Sequence, residues 1–252
     1  MQSESSAGRL HGRVALVTGA TRGLGLAVAR RLAAAGATVH LNYAHSEQDA
    51  VAAEAELAGL AGRVTAARAD VTDPAELAVL LKRIGEQDGR LDILVHNVSS
   101  LHPMTPGEPD PAGVHADLAT ALDPLLHTAG TLAGLMPAGG RIIAVSSIGA
   151  RAVVPRYLAA GVAKAALESL VRYLAVGFAA RDVAVNAVST AKLAKGGEPT
   201  PQEQQMAQRS PSGRLTVPDD VAGVVELLCS PEAGWIRGQT ITVDGGQGLL
   251  AP

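Results

Sequence analysis

Three residues in the second half of the chain have chemistry to offer one another. Ser147 ends an apolar run, Tyr157 precedes a long Ala- and Leu-rich stretch, and Lys164 follows seven positions later. Seven residues are close to two helical turns. On a helix that starts at Tyr157 the pair therefore shares one face, about 10 Å apart along the axis. A phenol, which ordinarily loses its proton near pH ~10, is a poor acid at neutral pH unless a nearby cation stabilises its phenolate. Lys164 supplies that cation. A Tyr and a Lys seven apart are commonly just helix surface, so the reading of Ser147, Tyr157 and Lys164 as catalytic residues depends on what precedes them.

What precedes them is a glycine loop. The first β-branched run leads into Thr18-Gly19-Ala20-Thr21-Arg22-Gly23-Leu24-Gly25, and a helical pattern follows. Glycines there permit a tight turn and close backbone approach to a pyrophosphate, which meets the free N–H groups of the helix N-terminus. Gly19, Thr21, Arg22, Gly23, Leu24 and Gly25 are therefore expected to bind a dinucleotide. An NAD site usually places a carboxylate about 20 residues further on. Here the second run ends Asn42-Tyr43-Ala44-His45-Ser46, with no acid before Glu47. A 2′-phosphate is attracted by Arg22 and repelled by a carboxylate. The expected cofactor is NADP(H), with Asn42, Tyr43 and Ser46 beside Arg22. Asp70-Val71, after the third run, stands where an adenine ring would lie, with a helix-capping loop as the alternative. Lys164 is also placed to bind the nicotinamide ribose.

The elements that must position these residues alternate regularly. Strands are predicted at Arg13–Thr18, Thr38–Asn42, Val64–Ala67, Leu91–Val95, Arg141–Val145, Val183–Ala187 and Thr240–Val243. Helices are predicted at Gly23–Ala35, Glu47–Leu60, Pro74–Glu86, Gly113–Met136, Tyr157–Ala180 and Pro218–Cys229. Asp73-Pro74 reads as an N-cap with proline at the first helical position, and Gly36 as a stop. Strand–helix alternation with mostly continuous apolar strands implies an α/β, single-domain Rossmann fold: a doubly wound, seven-stranded parallel sheet flanked by helices. Two segments, Leu101–Pro111 and Lys192–Gly213, read as loops around a pocket, the second as a lid.

Composition narrows the class. The chain has 252 residues, 47% hydrophobic, with formal net charge −3 and one cysteine, Cys229. That gives no electrostatic case for nucleic acid and no cysteine metal site or internal disulfide; no metal is expected. Met1–Leu10 reads as a flexible tail without the apolar core of a signal peptide, and residues 11–252 as the domain. No apolar run reaches the ~18 residues needed to span a bilayer, so a cytoplasmic protein is expected.

Taken together, the motifs resemble the short-chain dehydrogenase/reductase family. The glycine loop, Asp70-Val71, Asn97, Ser147, Tyr157, Lys164, Val185-Asn186-Ala187-Val188-Ser189 and Val243-Asp244-Gly245-Gly246 fall in the family's order, from about Gly12 to Leu250. The resemblance implies that Asn97 belongs to the cofactor site. It also implies a homotetramer or homodimer built on the two long helices and the C-terminal segment. Most members place the Tyr four before the Lys, where this chain has Ala160. The wider spacing, with Asn42-Tyr43-Ala44 and Ile236-Arg237-Gly238-Gln239, is similar to NADPH-dependent enoyl-acyl-carrier-protein reductases. In conjugate reduction, charge develops on the carbonyl oxygen, two carbons from the hydride acceptor. A donor one turn earlier suits that more distant oxygen.

The chain departs from the family at three places. His96-Asn97-Val98-Ser99 replaces the usual Asn-Asn-Ala-Gly. Ala121 stands where many members carry an Asn that relays protons to the Lys, with Thr120 beside it. Lys195 falls near the position of a Thr that contacts the carboxamide. These changes fit a secondary-metabolite role, such as polyketide biosynthesis, as well as fatty-acid biosynthesis. The substrate is a small molecule or an acyl-carrier-bound chain, and Lys192 and Lys195 are either a carrier contact or a solvated loop. Two alternatives stand beside enoyl reduction. One is a ketoreductase of the same fold. The other is a degenerate member with a non-redox role as cyclase, sensor or scaffold.

Overall fold

In the computed structural model, which describes residues 8–249, seven strands and seven α-helices alternate. The strands are β1 (Val14–Val17), β2 (Thr38–Tyr43), β3 (Val64–Arg68), β4 (Ile93–His96), β5 (Arg141–Ser147), β6 (Ala184–Thr190) and β7 (Thr240–Val243). The helices are α1 (Gly23–Ala34), α2 (Glu47–Leu57), α3 (Pro74–Asp88), α4 (Pro111–Leu135), α5 (Leu158–Phe178), α6 (Pro201–Arg209) and α7 (Pro218–Cys229). The sheet is parallel throughout, in the order β3-β2-β1-β4-β5-β6-β7. Strand order reverses between β1 and β4, which opens a crevice at their carboxyl ends.

Each strand alternates its side chains between two cores. Ala15 and Val17 of β1 face a cluster completed by α1, α2 and α7. Val14 and Leu16 face a second cluster completed by α3, α4 and α5. That explains the continuous apolar runs, since neither face of the central strands meets water. The Asp73 carboxylate accepts from the backbone N–H groups of Ala75 and Glu76, and Pro74 follows it as expected. Gly36 takes φ +96° just past α1.

Several boundaries depart from those expected of the sequence, and four have a visible cause. Helix α4 begins at Pro111 and not Gly113, because the Asp110 carboxylate caps it by accepting from Ala112 and Gly113. The segment Lys192–Gly213, expected as a loop, contains α6, whose Thr200 and Glu203 form a capping box. Strand β6 runs on to Thr190, held in register by β5 and β7. Leu10, assigned to the tail, is 1% exposed and donates its N–H to the Ala35 carbonyl, so ordered packing starts before residue 11. The rest of the tail assignment, residues 1–7, lies outside the described residues.

Asn42 ties the crevice together. Its amide donates to the carbonyls of Ala67 (3.2 Å) and Ala69 (2.8 Å), and its oxygen accepts from the Gly19 N–H (3.4 Å). Removing a buried side chain that satisfies backbone groups costs on the order of 2 kcal/mol. Asn42→Ala is expected to lower the unfolding free energy by that amount in chemical denaturation. An unchanged midpoint would show that these contacts contribute nothing.

Candidate active site

The glycine loop closes the carboxyl end of β1. Gly19 and Gly23 take φ of +61° and +57°, a region that L side chains rarely adopt. A Cβ at Gly25 would stand 2.2 Å from the Gly19 carbonyl oxygen, so only glycine lets α1 approach the turn. Around Gly23 the space is open, with nothing within 4 Å of a Cβ position. No side chain caps α1, and its first turn carries no acid. Its N-terminal N–H groups and positive dipole end therefore face the crevice uncompensated, a fit for a diphosphate. Arg22 is exposed at the N-cap position, Thr21 is half-buried beside it, and Leu24 is buried underneath.

The other expected cofactor residues divide. Tyr43 is half-buried at the end of β2, and Ser46 caps α2 by accepting from the Asp49 N–H at 3.2 Å. Asn42 bonds within the protein. Both of its amide hydrogens are used inside the protein, so it braces the loop and offers no free donor to a phosphate. Asn97 is likewise a brace: its amide donates to the carbonyls of Thr18 (3.0 Å) and Gly19 (3.2 Å). Val98 stands against Gly19. The Asp70 carboxylate accepts from the N–H and hydroxyl of Thr72, and Val71 is buried in the second core. Those Thr72 hydrogen bonds hold the Asp70 carboxyl below its usual range.

Ser147 and Tyr157 meet past the end of β5. The Ser147 hydroxyl oxygen accepts from the Gly149 N–H at 3.1 Å, which leaves its own hydrogen free to donate. A Cβ at Gly149 would lie 2.6 Å from two ring carbons of Tyr157 and 3.5 Å from Ser147 Oγ. Gly149 thus lets the Tyr157 ring pack close beside Ser147. Tyr157 is not the first residue of the helix, as its place in the sequence suggests. It is the N-cap of α5, with non-helical φ of −112°, and it follows Arg156 in the left-handed region. The two-turn geometry is therefore not that of a continuous helix. A backbone bridge to Met104 ties the Leu101–Pro111 segment to the Tyr157 backbone.

Lys164 lies inward. It is 4% exposed, and its Nζ donates to the Val145 carbonyl at 2.8 Å. Burial pushes its ammonium down to about 8, while the Asp117 carboxylate pulls the other way. His96 shares this interior. Its Nε2 meets the Ala121 carbonyl at 3.0 Å, and since a carbonyl only accepts, that nitrogen carries hydrogen. Burial, aided by the Lys164 cation, lowers the imidazole to about 4. Thr120 turns its hydroxyl back to the Ala116 carbonyl at 2.9 Å and takes no part. Lys192 and Lys195 are exposed.

Sequence reasoning missed Asp117, His102 and the packing role of Gly149. The one available signal was a carboxylate in the stripe Gly113, Asp117, Ala121 and Leu125, which α4 buries. Among the described residues, no group of three or more His, Cys, Asp or Glu is placed to hold a metal, and no helix is long and apolar enough to cross a membrane.

A switch-point crevice with an uncapped glycine loop on one side, Ser147 and Tyr157 beyond the end of β5, and Lys164 buried on α5 against Val145 is the layout of a nucleotide-dependent oxidoreductase. The family model described as enoyl-(acyl carrier protein) reductase matches residues 19–247. The chain belongs to that family, within the short-chain dehydrogenases/reductases. It is 34% identical over 247 residues to a 1-cyclohexenylcarbonyl-CoA reductase of Streptomyces collinus, covering 95% of this chain and 88% of the relative. It is 35% identical over 268 residues to a versicolorin reductase of Emericella nidulans, covering 97% and 98%. Among solved structures, the angucycline C-6 ketoreductase LanV with bound NADP superposes with a TM-score of 0.88 at 32% identity, covering 96% of this chain and 98% of that one.

The closeness of Gly149 to the ring can be tested by filling it. Gly149→Val drives a side chain into Tyr157, and misplacement by an ångström costs on the order of 100-fold in rate. Turnover should fall accordingly with the circular dichroism spectrum retained; wild-type turnover would show that Gly149 does not set the ring. For His96, the folded value lies below the unfolded one of 6.5. Its neutral form therefore favours folding fully above that pH, and the advantage is lost as pH falls toward 4, where the unfolded chain takes up the proton first. His96→Gln keeps a donor for Ala121. It should flatten the decline in unfolding free energy between pH 6.5 and 4 by up to about 3 kcal/mol. Parallel curves for the two proteins would remove His96 as the cause.

Proposed function

We propose that this chain is an NADPH-dependent reductase of an α,β-unsaturated acyl thioester or related enone in secondary metabolism. The observation that carries the reading is the position of Tyr157. Its ring packs against Gly149, with Ser147 Oγ close by, from outside α5, and the usual donor position is the buried Ala160. NADPH, when bound, supplies the hydride. Arg22 and the free N–H groups of α1 would hold its phosphates, Tyr43 and Ser46 its ribose, and Asp70-Val71 its adenine. The absence of a carboxylate at the end of β2 removes the group that would repel a 2′-phosphate.

The Tyr157 hydroxyl hydrogen-bonds the substrate carbonyl oxygen, where negative charge collects as the double bond is reduced. The Ser147 hydroxyl, its oxygen anchored to Gly149, donates to the same oxygen or orients Tyr157. Lys164, charged at neutral pH, would stabilise the Tyr157 phenolate once its proton has passed to the enolate oxygen, and would hold the nicotinamide ribose. Preorganised donors of this kind act where water is excluded and charge develops.

Relatives that reduce carbonyls, LanV among them, support a second reading: ketone reduction at the same site. A fatty-acid role with an acyl-carrier-bound substrate is the narrower form of the first. Location in the cytoplasm accords with a single, buried, unpaired cysteine. Assembly as a homotetramer or homodimer is supported by Leu126 on α4 and by Tyr173 and Val176 on α5, all exposed apolar side chains on the two long helices.

NADPH consumption with crotonyl-thioester against acetoacetyl-thioester tests the choice. The enoyl substrate is expected to turn over faster, and faster turnover of the ketone would replace the first reading by the second. Arg22→Glu should weaken NADPH binding by about 10-fold or more while affecting NADH little. Tighter binding of NADH by the unaltered protein would overturn the cofactor assignment.

A further inference from the structure

The segment that follows β4 runs from one wall of the crevice to the other. It starts at Val98, whose Cγ2 lies 3.2 Å from the Cβ position of Gly19 in the glycine loop. It reaches the far wall at Met104, whose backbone bridges to Tyr157. His102 stands two residues before that bridge. Its Cβ and the Met104 methyl lie 2.9 and 3.0 Å from the Cβ position of Gly113, so the two side chains meet over the first turn of α4. Pro103 follows and confines the His102 backbone to extended conformations. His102 is thus fixed on the stretch of chain that joins the cofactor loop to Tyr157.

A buried carboxylate holds the ring. Asp117 lies in the buried stripe of α4, one turn beyond Gly113, and its side chain is 1% exposed. Ser100 Oγ donates to its Oδ1 at 2.7 Å, and the His102 N–H donates to Oδ2 at 3.2 Å. Those two bonds already fasten the loop to α4. A third, at 2.7 Å, joins Oδ1 to His102 Nδ1. Burial opposes ionisation of Asp117, and the hydrogen bonds from Ser100 and His102 outweigh it, so its carboxyl stays below the usual range. An ionised carboxylate only accepts, so Nδ1 carries the hydrogen, and in the neutral ring Nε2 is left as a bare acceptor. Nε2 has no partner among the described residues, and the His102 side chain is 47% exposed. A carboxylate behind an imidazole fixes its tautomer and orientation. A loop brace has no need of an outer nitrogen left open.

We propose that His102, held by Asp117 on the chain between the glycine loop and Tyr157, is a specificity-determining residue whose Nε2 accepts a hydrogen bond from a substrate hydroxyl. The substrate class is then a hydroxylated enone, its hydroxyl phenolic or enolic. A phenol, with a proton lost near pH ~10, is a more acidic donor than an alcohol or an amide, and it suits an acceptor backed by a carboxylate. A simple aliphatic acyl chain offers no such donor. The inference rests on the enone-reductase reading given above and narrows it.

Benzylideneacetones with one hydroxyl at the ortho, meta or para ring position, and the matching methyl ethers, are the probes. Within a pair only the hydroxyl form can donate. With NADPH in excess, the unaltered protein is expected to favour the hydroxyl form of at least one pair by about 10-fold or more in kcat/KM. His102→Leu leaves Asp117 its bonds from Ser100 and the backbone and removes the acceptor. It should bring that ratio to within about twofold of unity, with turnover of the ether retained. A merely structural role for His102 lowers both probes alike, and a steric preference for the smaller probe survives the substitution; either result overturns the proposal. If His102→Leu does not fold, His102→Asn makes the same comparison with a donor kept for Asp117. Binding is read separately by ¹⁵N-histidine NMR of the full chain with NADP present. The hydroxyl probe is expected to shift the His102 Nε2 resonance, assigned through the variant, and its ether to leave it in place. No shift with any hydroxyl probe overturns the proposal, whatever the turnover. If the shift appears while no probe consumes NADPH, the enone-reductase reading fails and hydroxyl recognition by His102 stands.

Discussion

Parallel strands end with N–H and C=O groups that the sheet no longer pairs, and at the carboxyl end of β1 two asparagines take up those groups. Asn97 reaches across from β4 to the carbonyls of Thr18 and Gly19. Asn42 reaches across from β2 to the Gly19 N–H and on to β3. Backbone groups buried without partners are costly, so these braces hold four strands in one register at the point where the strand order reverses. The left-handed turn at Gly19, the close approach of Gly25 and the direction of α1 all follow from that fixed end. The crevice is a consequence of topology, but its shape is set by these side chains.

A second, smaller constraint governs the opposite wall. Lys164 is buried where its ammonium has one neutral hydrogen-bond partner among the described residues. The polar groups nearby are largely committed to other partners. His96 stays neutral against Ala121, Glu168 is turned away to Ser146 and Arg151, and Asp117 is held ionised from the loop side. Tyr157 and Ser147 sit nearer the surface, bordered by Gly149, where no side chain competes for the space. Buried charge inside and open hydroxyls outside is an arrangement suited to moving a proton outward to a developing oxyanion.

The departures from the family pattern look different once placed. Val98 substitutes for a small residue and packs on Gly19 without closing the loop. Replacing the usual Asn by His96 puts a neutral donor inside the site, and it meets the carbonyl of the same Ala121 that marks another departure. These changes are spatially linked, which scattered degeneration of an unused site does not require. Lys195, by contrast, is exposed near the start of a segment that ends in α6 and has no such link.

Much of this molecule is legible as one-dimensional pattern. Continuous apolar strands alternating with amphipathic helices specify a covered parallel sheet, because both depend on local periodicity and on short-range caps such as Asp73-Pro74. The glycine loop is equally legible, since a required φ or a close backbone approach admits few residue types. Element ends are less so: the capping carboxylate of Asp110 and the capping box at Thr200 are hidden in segments dominated by Pro and Gly. Beyond the reach of sequence is how side chains far apart in the chain share their hydrogen bonds. Asn42 is a polar residue at the end of a strand, and only tertiary structure shows its donors already used. Asp117 is a carboxylate on a helix, and only the loop after β4, folded over α4, shows its oxygens taken by Ser100 and His102. Periodicity is local and survives in the sequence. Compensation of buried charge is a matter of distance in space, and it exists only once the chain has folded.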